Sequence, residues 1–562
     1  MGAAGARSAD AIVVGGGLAG LVAACELLAA GRRVTLLDQE SAANLGGQAY
    51  WSFGGLFLVD TPGQRRLGVR DSAELAWQDW QGAAAWDRLD GEHPADEWAM
   101  RWGRASVEWA AGGERAWLAA NGVRFTPMVG WAERGGLTAT GHGNSVPRFH
   151  VAWGTGTGVS EPFARRVRAA AADGRLDYRP RHRVESLVVE AGVVVGVAGV
   201  VLAPDDAPRG APSSREATAG FELRAPAVLV ATGGIGGDHD LVRAWWPDSL
   251  GTPPARMVTG VPAHVDGSGI AFCEAAGART VNRDRMWHYT EGIENFAPVW
   301  PGHGIRILPG PSSMWFDALG RRLPAPALPG YDTLATLRHL RTDPAIAGFD
   351  HSWFVLDQRI IEKEFALSGS EQNPDITSGS MLRVLRSRLG RGAPAPVAAF
   401  QRHGSDFVAA DSLDELVRGM NAIGGGPQLS VESLRREIAA RDAQFANPFA
   451  KDVQVQGIHN ARRYRGDRLL RVAKPHRILD AANGPLVAVR LHTLTRKSLG
   501  GIQTDLDSRA LRADGTVLPG LWAAGEAAGF GGGGAHGYNA LEGTFLGGCL
   551  LSGRAAGRSM AG

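Results

Sequence analysis

The chain has 562 residues, 44% of them hydrophobic, which is enough for two or three domains with large cores. Its 59 basic and 57 acidic residues nearly cancel, so the charge favours neither nucleic acid nor an anionic membrane surface as a partner. The three cysteines lie far apart, at Cys25, Cys273 and Cys549, which argues against a disulfide framework and a zinc site. The same cysteine usage is compatible with a reducing cytosol, so we expect a cytoplasmic protein without a metal, and because glycines interrupt the first apolar run we expect no membrane span.

Residues 11–40 have the pattern of a strand, a glycine turn, a helix and a second strand. Gly15, Gly17 and Gly20 form a GxGxxG motif at the turn, and Asp38 ends the second strand. Such a turn lets a pyrophosphate approach the helix N-terminus, while the carboxylate accepts hydrogen bonds from a ribose. This unit predicts a dinucleotide site but does not separate NAD from FAD.

The residue composition of the rest of the chain changes twice. Valine alternation around Gly192 predicts a hairpin within residues 183–203, and residues 225–237 predict a buried strand followed by a glycine turn. Pro- and Arg-rich sequence follows, with helices predicted at 412–420 and 430–444, before strands and glycine turns return. We therefore divide the chain into three segments: a first part of a nucleotide-binding domain (1–250), a second domain (251–480), and the rest of the first domain (481–562).

Several ordered motifs extend this pattern: NLGGQAYWSFGGLF (44–57), VLVATGGIGG (228–237), LGGIQTD (499–505) and GLWAAGEAAG (520–529). Together they resemble the flavoprotein family of fumarate reductases, succinate dehydrogenases and 3-ketosteroid Δ1-dehydrogenases. The resemblance implies an α/β fold with a Rossmann-like FAD-binding domain of the glutathione-reductase type. That domain is assembled from both chain ends, and an α+β cap domain is inserted between them.

The resemblance also implies which residues line the cofactor. A histidine that bonds covalently to FAD in succinate dehydrogenases has no counterpart in QAYWS (48–52), so non-covalent FAD is expected. The residues expected at FAD are Gly15, Gly17, Leu18, Ala19, Gly20, Asp38, Gln39, Gly46, Gly47, Ser52, Gly54, Gly55, Val184, Ala231, Thr232, Gly233, Gly525, Glu526, Thr544 and Leu546.

The stretch GGGGAHGYNALEGTFLGG (531–548) contains eight glycines, which would let backbone lie flat against a flavin ring. A helix from about Gly543 would present its positive end to the flavin's pyrimidine edge and stabilise the reduced form. A Gly-rich turn without a ligand is the alternative interpretation.

Two departures from the fumarate reductase pattern bear on the substrate. The segment GRRLPAPALPGYDT (320–333) has Tyr331 where that pattern has a proton-donating arginine, and Ala540 replaces a substrate-binding arginine. A dicarboxylate would lose its guanidinium partners, so it is a poor substrate. Similarity to the ketosteroid dehydrogenases instead implies that Tyr331 is the base and Tyr538 the donor to a ketone oxygen.

Other residues near these motifs have open roles. Glu542 would repel an oxyanion if it pointed inward, and the amide of Gly543 is a candidate donor instead. His536 is either a flavin neighbour with a catalytic role or a hydrogen-bonded loop residue. A tyrosinate base needs a nearby cation, and the candidates are His288, Arg321 and Arg496.

Three functions remain open from the sequence. The first is an FAD-dependent dehydrogenase acting on a CH–CH bond beside the carbonyl of a small apolar ketone or enone. The second is a flavin-dependent alkene reductase running the same chemistry in reverse. The third is a non-catalytic flavin-binding protein. No second GxGxxG unit is evident, so an external electron acceptor or donor is expected.

Overall fold

The computed structural model describes residues 9–389, 392–426 and 428–562. Its strands, in chain order, are β1 (Ala11–Val14), β2 (Val34–Leu37), β3 (Gly55–Phe57), β4 (Phe125–Gly130), β5 (Phe149–Ala152), β6 (Leu176–Arg179), β7 (His182–Glu190), β8 (Val193–Leu202), β9 (Ala217–Arg224), β10 (Val228–Val230), β11 (Val258–Thr259), β12 (Thr280–Val281), β13 (Met286–Glu294), β14 (Gly304–Leu308), β15 (Met314–Phe316), β16 (His351–Asp357), β17 (Ala366–Leu367), β18 (Phe407–Ala410), β19 (Leu486–Ser498), β20 (Gly501–Ile502), β21 (Arg509–Leu511) and β22 (Val517–Ala523).

The helices are α1 (Leu18–Ala29), α2 (Gly47–Tyr50), α3 (Pro62–Arg66), α4 (Ala73–Ala84), α5 (Glu97–Ala111), α6 (Glu114–Ala120), α7 (Thr155–Ala172), α8 (His239–Ala244), α9 (Ser268–Ala275), α10 (Thr333–Thr342), α11 (Gln358–Glu364), α12 (Pro374–Thr377), α13 (Met381–Leu389), α14 (Ala395–His403), α15 (Leu413–Gly424), α16 (Val431–Gln444), α17 (Val453–Ala461), α18 (Arg465–Leu470) and α19 (Thr544–Ala561). No helix among the described residues combines the length and the apolar character needed to cross a membrane.

A six-stranded sheet forms the first domain, in the order β21-β22-β10-β1-β2-β6. All neighbours are parallel except β21, which pairs antiparallel with β22. Strands buried on both faces read as continuous apolar runs, as AIVV and VTLL do. Because β22 and β21 come from the last 60 residues, the predicted assembly from both chain ends is confirmed.

Helices α1, α7 and α19 cover one face of this sheet. Helix α1 is apolar on nearly all sides because it is enclosed by the sheet and its two helical neighbours. A Cβ on Gly20 would lie 2.0 Å from the Gly15 carbonyl oxygen, so the third glycine of the motif permits close helix–strand contact.

The second domain contains an eight-stranded sheet with the path β15-β16-β19-β13-β14-β17, to which β11 and β18 add by pairing with β19. The long strand β19 is therefore central to this sheet. It lies within the segment 481–562 that we assigned to the nucleotide-binding domain, so the structure moves that boundary to about residue 498. The domain to which β19 belongs is decided by its pairing with strands that are far away in the sequence.

Local predictions in the middle of the chain are confirmed. The hairpin around Gly192 is β7–β8, and the helices predicted at 412–420 and 430–444 are α15 and α16. Ser412 and Ser430 cap these two helices by accepting backbone N–H bonds, which explains why both begin there.

Candidate functional site

The first glycine turn forms one end of a deep pocket. Gly15 has φ +105°, and a Cβ there would lie 2.5 Å from the Ala231 carbonyl oxygen. Gly17 is the N-cap of α1 and makes no side-chain cap, so the first N–H groups of the helix are available to an anion. The Asp38 carboxylate accepts hydrogen bonds from the Gly16 and Glu40 amides, and burial raises its pKa to about 6.

Helix α19 forms the wall of the pocket opposite the first glycine turn. Gly543, at φ +94°, is the N-cap of α19 and also lacks a side-chain cap, so a second set of helix N–H groups is available at the pocket. A Cβ on Gly543 would lie 2.7 Å from the Phe57 nitrogen, so glycine is required for the helix to start against β3.

The pocket between these ends encloses about 1750 Å3, counting its open mouth. The residues expected at FAD that line it are Gly15, Gly17, Leu18, Ala19, Asp38, Gln39, Gly47, Ser52, Gly54, Gly55, Val184, Ala231, Thr232, Gly233, Gly525, Glu526 and Leu546. Gly20, Gly46 and Thr544 lie behind this surface, where they hold the two helix starts and the second glycine turn in place.

These features fit FAD. Open helix N-termini and glycine backbone suit a pyrophosphate, the Asp38 carboxylate suits a ribose, and the second and third glycine turns give flat backbone for a large ring. Glu526, whose carboxylate accepts from Gln48 and from the Ser498 amide, is fixed on the wall between the two ends.

Tyr331, predicted to be the base, does not line the pocket. Its ring is buried against α17, where a Cβ on Gly457 would lie 2.7 Å from the hydroxyl oxygen. Burial raises the pKa of Tyr331, although a tyrosinate base needs a lowered pKa. The match to the ketosteroid dehydrogenase pattern, offset by one residue, therefore does not place the hydroxyl at a substrate.

Tyr538 and His536 also lie away from the pocket lining. The Gly537 turn packs on α4, the Tyr538 amide donates to the Ala84 carbonyl, and the Tyr538 hydroxyl donates to Asp87 at 3.0 Å. His536 is buried in an aromatic cluster, stacked on Trp80 at 5.4 Å, and burial lowers its pKa to about 3. Their contacts are those of packed loop residues, and their catalytic roles stay predictions.

A different tyrosine stands on the pocket wall. Tyr289, on β13, and Lys497, on β19, both line the pocket, and the Lys497 ammonium donates to the Tyr289 hydroxyl oxygen at 2.9 Å. Burial lowers the pKa of Lys497 to about 7 and raises the pKa of Tyr289 well above its usual value. The phenol therefore stays protonated, and its own hydrogen is free to point toward a bound oxygen.

An ion pair lies beside this couple. Arg306, on β14, donates to the Glu542 carboxylate at 2.5 Å, and its guanidinium carbon lies 3.8 Å from the centre of the Tyr289 ring. Burial opposes ionisation of Glu542, but Arg306 and Lys497 outweigh it and keep the pKa of Glu542 below its usual range. Glu542 thus lines the pocket with its charge balanced, so it does not repel an oxyanion as strongly as we expected.

Only one of the three predicted cations reaches the pocket. Arg496 lines it, whereas His288 stacks on Trp246 and the half-exposed Arg321 pairs with Asp317 at 2.7 Å. Burial lowers the pKa of His288 to about 3, so this imidazole is neutral.

Sequence reasoning missed Tyr289, Lys497 and Arg306. One signal was available: the run from His288 to Glu291 places four polar residues inside a strand whose residues are almost all buried. Buried polar runs of this kind are costly unless they are paired or functional. Lys497 also directly precedes SLGGIQTD, which overlaps a motif that the resemblance used.

Comparison with known proteins identifies the family of the chain. Residues 10–546 match a family described as FAD binding domain. The chain is 58% identical over 554 residues to a KsdD-like steroid dehydrogenase of Mycobacterium tuberculosis, covering 99% of this chain and 96% of the relative. It is 60% identical over 538 residues to a KsdD-like steroid dehydrogenase of Mycolicibacterium smegmatis, covering 96% of both chains.

Two solved structures share the fold at low sequence identity. A 3-ketosteroid Δ1-dehydrogenase of Sterolibacterium denitrificans superposes with a TM-score of 0.63 at 16% identity, covering 99% of this chain and all of its own. A flavocytochrome c3 fumarate reductase gives a TM-score of 0.62 at 18% identity, covering 99% of this chain and 78% of its own. The chain belongs to the FAD-binding domain family, and it is an FAD-dependent dehydrogenase of the class that acts on CH–CH bonds.

Proposed function

We propose that this protein desaturates the carbon–carbon bond next to the ketone of a 3-ketosteroid or a similar cyclic ketone. The identity of 58–60% to proteins named KsdD-like steroid dehydrogenases supports this substrate class. The observation that carries the proposal is the Tyr289 phenol, which is held by Lys497 on the pocket wall with its hydrogen available.

We assign a separate role in the reaction to each of three pocket residues. Tyr289 donates a hydrogen bond to the ketone oxygen, and Lys497 stabilises the negative charge that develops along this contact. Glu542 accepts the proton from the carbon next to the ketone. Arg306 and Lys497 hold the pKa of Glu542 below its usual range, so the carboxylate is ionised but weakly basic, and strong polarisation of the carbonyl has to make the carbon acidic enough for this step.

Bound FAD supplies the acceptor for the hydride that leaves the neighbouring carbon, so a CH–CH bond becomes a double bond and two electrons are removed. The open amides of α19 stabilise negative charge at the cofactor. An external acceptor must then reoxidise the enzyme, because the other GxGxxG spacings of the sequence, within 529–537, lie in a glycine loop and not between a strand and a helix. We also propose a cytoplasmic location, in keeping with the three free cysteines among the described residues.

An anaerobic experiment tests the proposal. The purified protein with bound FAD is mixed with a 3-keto-4-ene steroid, and the flavin absorbance is followed. Loss of the absorbance and formation of the 1,4-diene are expected. If ketones leave the flavin absorbance unchanged, but an activated alkene reoxidises the flavin after reduction with dithionite, the protein is a reductase. If neither ligand changes the absorbance, the protein only binds the flavin. Either result contradicts the proposal.

A further inference from the structure

Arg496 lines the pocket. Among residues 9–389, 392–426 and 428–562, its guanidinium group makes no hydrogen bond and no ion pair. Arg306, which also lines the pocket, is held by Glu542 at 2.5 Å. A buried or half-buried charge is costly unless a partner neutralises it, so Arg496 is either poorly stabilised or awaits a ligand.

Local strand geometry turns Arg496 toward the pocket. In the β13–β19 ladder, Trp287 pairs with Lys497 and His288 pairs with Thr495, so Arg496 is the extra residue of a β-bulge. Successive residues of a regular strand point to opposite faces, whereas a bulge re-aims a side chain. Because of the bulge, Arg496 and Lys497 both line the pocket.

Carboxylates of Glu371, Glu526 and Glu542 lie near enough to interact electrostatically with Arg496, but among the described residues none of them forms an ion pair with it. Arg306, Arg496 and Lys497 face the pocket, and Glu542 is already bound to Arg306. Glu526 is held by Gln48 and by the Ser498 amide instead of by an arginine. The Arg496 guanidinium is therefore left to pair with a negative group of a ligand.

The cofactor's phosphates have their own site. They suit the open amides of α1 near Gly17, which belong to the first glycine turn. Arg496 is instead the chain neighbour of Lys497, whose ammonium reaches Tyr289 and lies 3.6 Å from the Phe545 ring centre. This places the free guanidinium beside the proposed ketone-binding pair.

We infer that Arg496 binds a carboxylate of the substrate, so that the preferred substrate is a ketone carrying an acidic side chain. The inference rests on the proposed function and narrows it, since that function alone admits neutral ketones. A planar guanidinium matches a carboxylate with two parallel hydrogen bonds, which an ester cannot replace. Arg496 thus sets specificity and takes no part in proton or hydride transfer.

The test uses two ligands that differ in one group: a 3-keto-4-ene steroid with a side-chain carboxylate, and its methyl ester. Binding to the FAD-loaded protein is measured from the change in the flavin spectrum, and flavin reduction is followed separately. The wild-type protein is expected to bind the acid at least about tenfold more tightly, as charge-assisted contacts of this kind provide. Arg496→Gln should remove this preference and leave ester binding unchanged.

Two controls accompany the variant. Arg435→Gln removes an exposed arginine that pairs with Asp414 outside the pocket, and it should keep the preference for the acid. The FAD content of Arg496→Gln should equal that of the wild-type protein; a loss of FAD would mean that Arg496 serves the cofactor, and would overturn the inference.

The outcomes separate the inference from the proposed function. If the ester binds and reduces the flavin as well as the acid does, the inference fails while the proposed function stands. If the acid binds selectively through Arg496 but neither ligand reduces the flavin, the anion site stands and the desaturation fails. An acid that does not perturb the flavin spectrum overturns the inference.

Discussion

Tyr289 has the two properties that a carbonyl donor needs. Its oxygen accepts from Lys497, which leaves the phenolic hydrogen for a ligand, and burial raises its pKa so that the hydrogen stays in place at neutral pH. A developing enolate would gain most from such a donor because the surrounding pocket excludes much of the water.

Replacing Tyr289 with phenylalanine should therefore slow flavin reduction by a 3-ketosteroid by about a hundredfold or more, the usual loss for a removed oxyanion donor. The amount of bound FAD should stay the same, because the hydroxyl contacts Lys497 and not the glycine turns. Anaerobic stopped-flow absorbance measures the reduction rate.

Tyr538→Phe is the matched control, since the Tyr538 hydroxyl bonds to Asp87 outside the pocket. Its reduction rate should equal that of the wild-type protein. A large loss in Tyr538→Phe together with a normal rate in Tyr289→Phe would restore the assignment made from the sequence.

Lys497 should give the reaction a pH dependence near neutrality. Its pKa is lowered from the usual value to about 7 by burial; Glu542 and Glu526 oppose the shift, and Arg496 and Arg306 add to it. If the ammonium form supports Tyr289, the rate is highest below pH 7. It then falls by about tenfold per pH unit above pH 7, as expected for loss of one proton.

Lys497→Arg keeps the charge far above neutrality, so its rate should stay level from pH 7 to about pH 10. Reduction rates measured across this range for both proteins check the assignment. A wild-type rate that is constant between about pH 6 and 9 would show that Lys497 protonation does not matter.

Residues that are expected to bind FAD were easier to predict than Tyr289 and Lys497, which we propose to face the substrate. The spacing of Gly15, Gly17 and Asp38 follows from one local βαβ unit, so the sequence contains the information directly. Tyr289 and Lys497 are 208 residues apart and meet only through the β13–β19 pairing and its bulge. No local pattern predicts such a meeting.

At the scale of elements, the β1–α1 turn determines whether FAD binds. Alanine at Gly15 would need a left-handed backbone and would meet the Ala231 carbonyl at 2.5 Å. We expect Gly15→Ala to lower the affinity for FAD by about tenfold or more, since each 1.4 kcal/mol changes it tenfold. Titration of the apoprotein with FAD measures this.

Gly31→Ala is the control for backbone strain alone. Gly31 has φ +75° at the end of α1, but nothing lies within 4 Å of a Cβ there. It should lower stability slightly and leave FAD affinity unchanged. Equal FAD affinities in the two variants would contradict the role given to the first glycine turn.

Strand β14 is tied to the terminal loop by the Arg306–Glu542 pair. Arg306→Gln leaves Glu542 buried without its partner, and Glu291 and Glu133 lie within 4 Å of the same guanidinium. Removing one member of a buried pair costs about 3–5 kcal/mol, so the free energy of unfolding in urea should fall by that order.

Arg321→Gln removes a guanidinium that is 49% exposed, and its effect should stay below about 1 kcal/mol. A loss of similar size in the two variants would mean that the Arg306–Glu542 pair does not join the second domain to the terminal loop.

Elements with strong local signals were predicted well, as α15, α16 and the β7–β8 hairpin show. Strand β19 was assigned to the wrong part of the chain because its apolar sequence predicts a strand but not the sheet it joins. Sheet membership depends on partners hundreds of residues away, among them β13 and β16.

The pocket forms because the C-terminal segment of the chain folds back onto the first domain. Strand β22 completes the six-stranded sheet beside β10, and α19 starts against β3, while β13, β14 and β19 of the second domain supply Tyr289, Arg306 and Lys497. The cofactor walls and the proposed substrate end thus come from different domains and share one pocket.

The most direct test is a crystal structure of the protein with FAD and a bound 3-ketosteroid. We predict that the ketone oxygen lies within hydrogen-bond distance, about 2.5–3.0 Å, of the Tyr289 hydroxyl, with Glu542 facing the adjacent carbon. A steroid whose ketone oxygen lies at Tyr538 or Tyr331, with Tyr289 making no contact to it, would contradict the account.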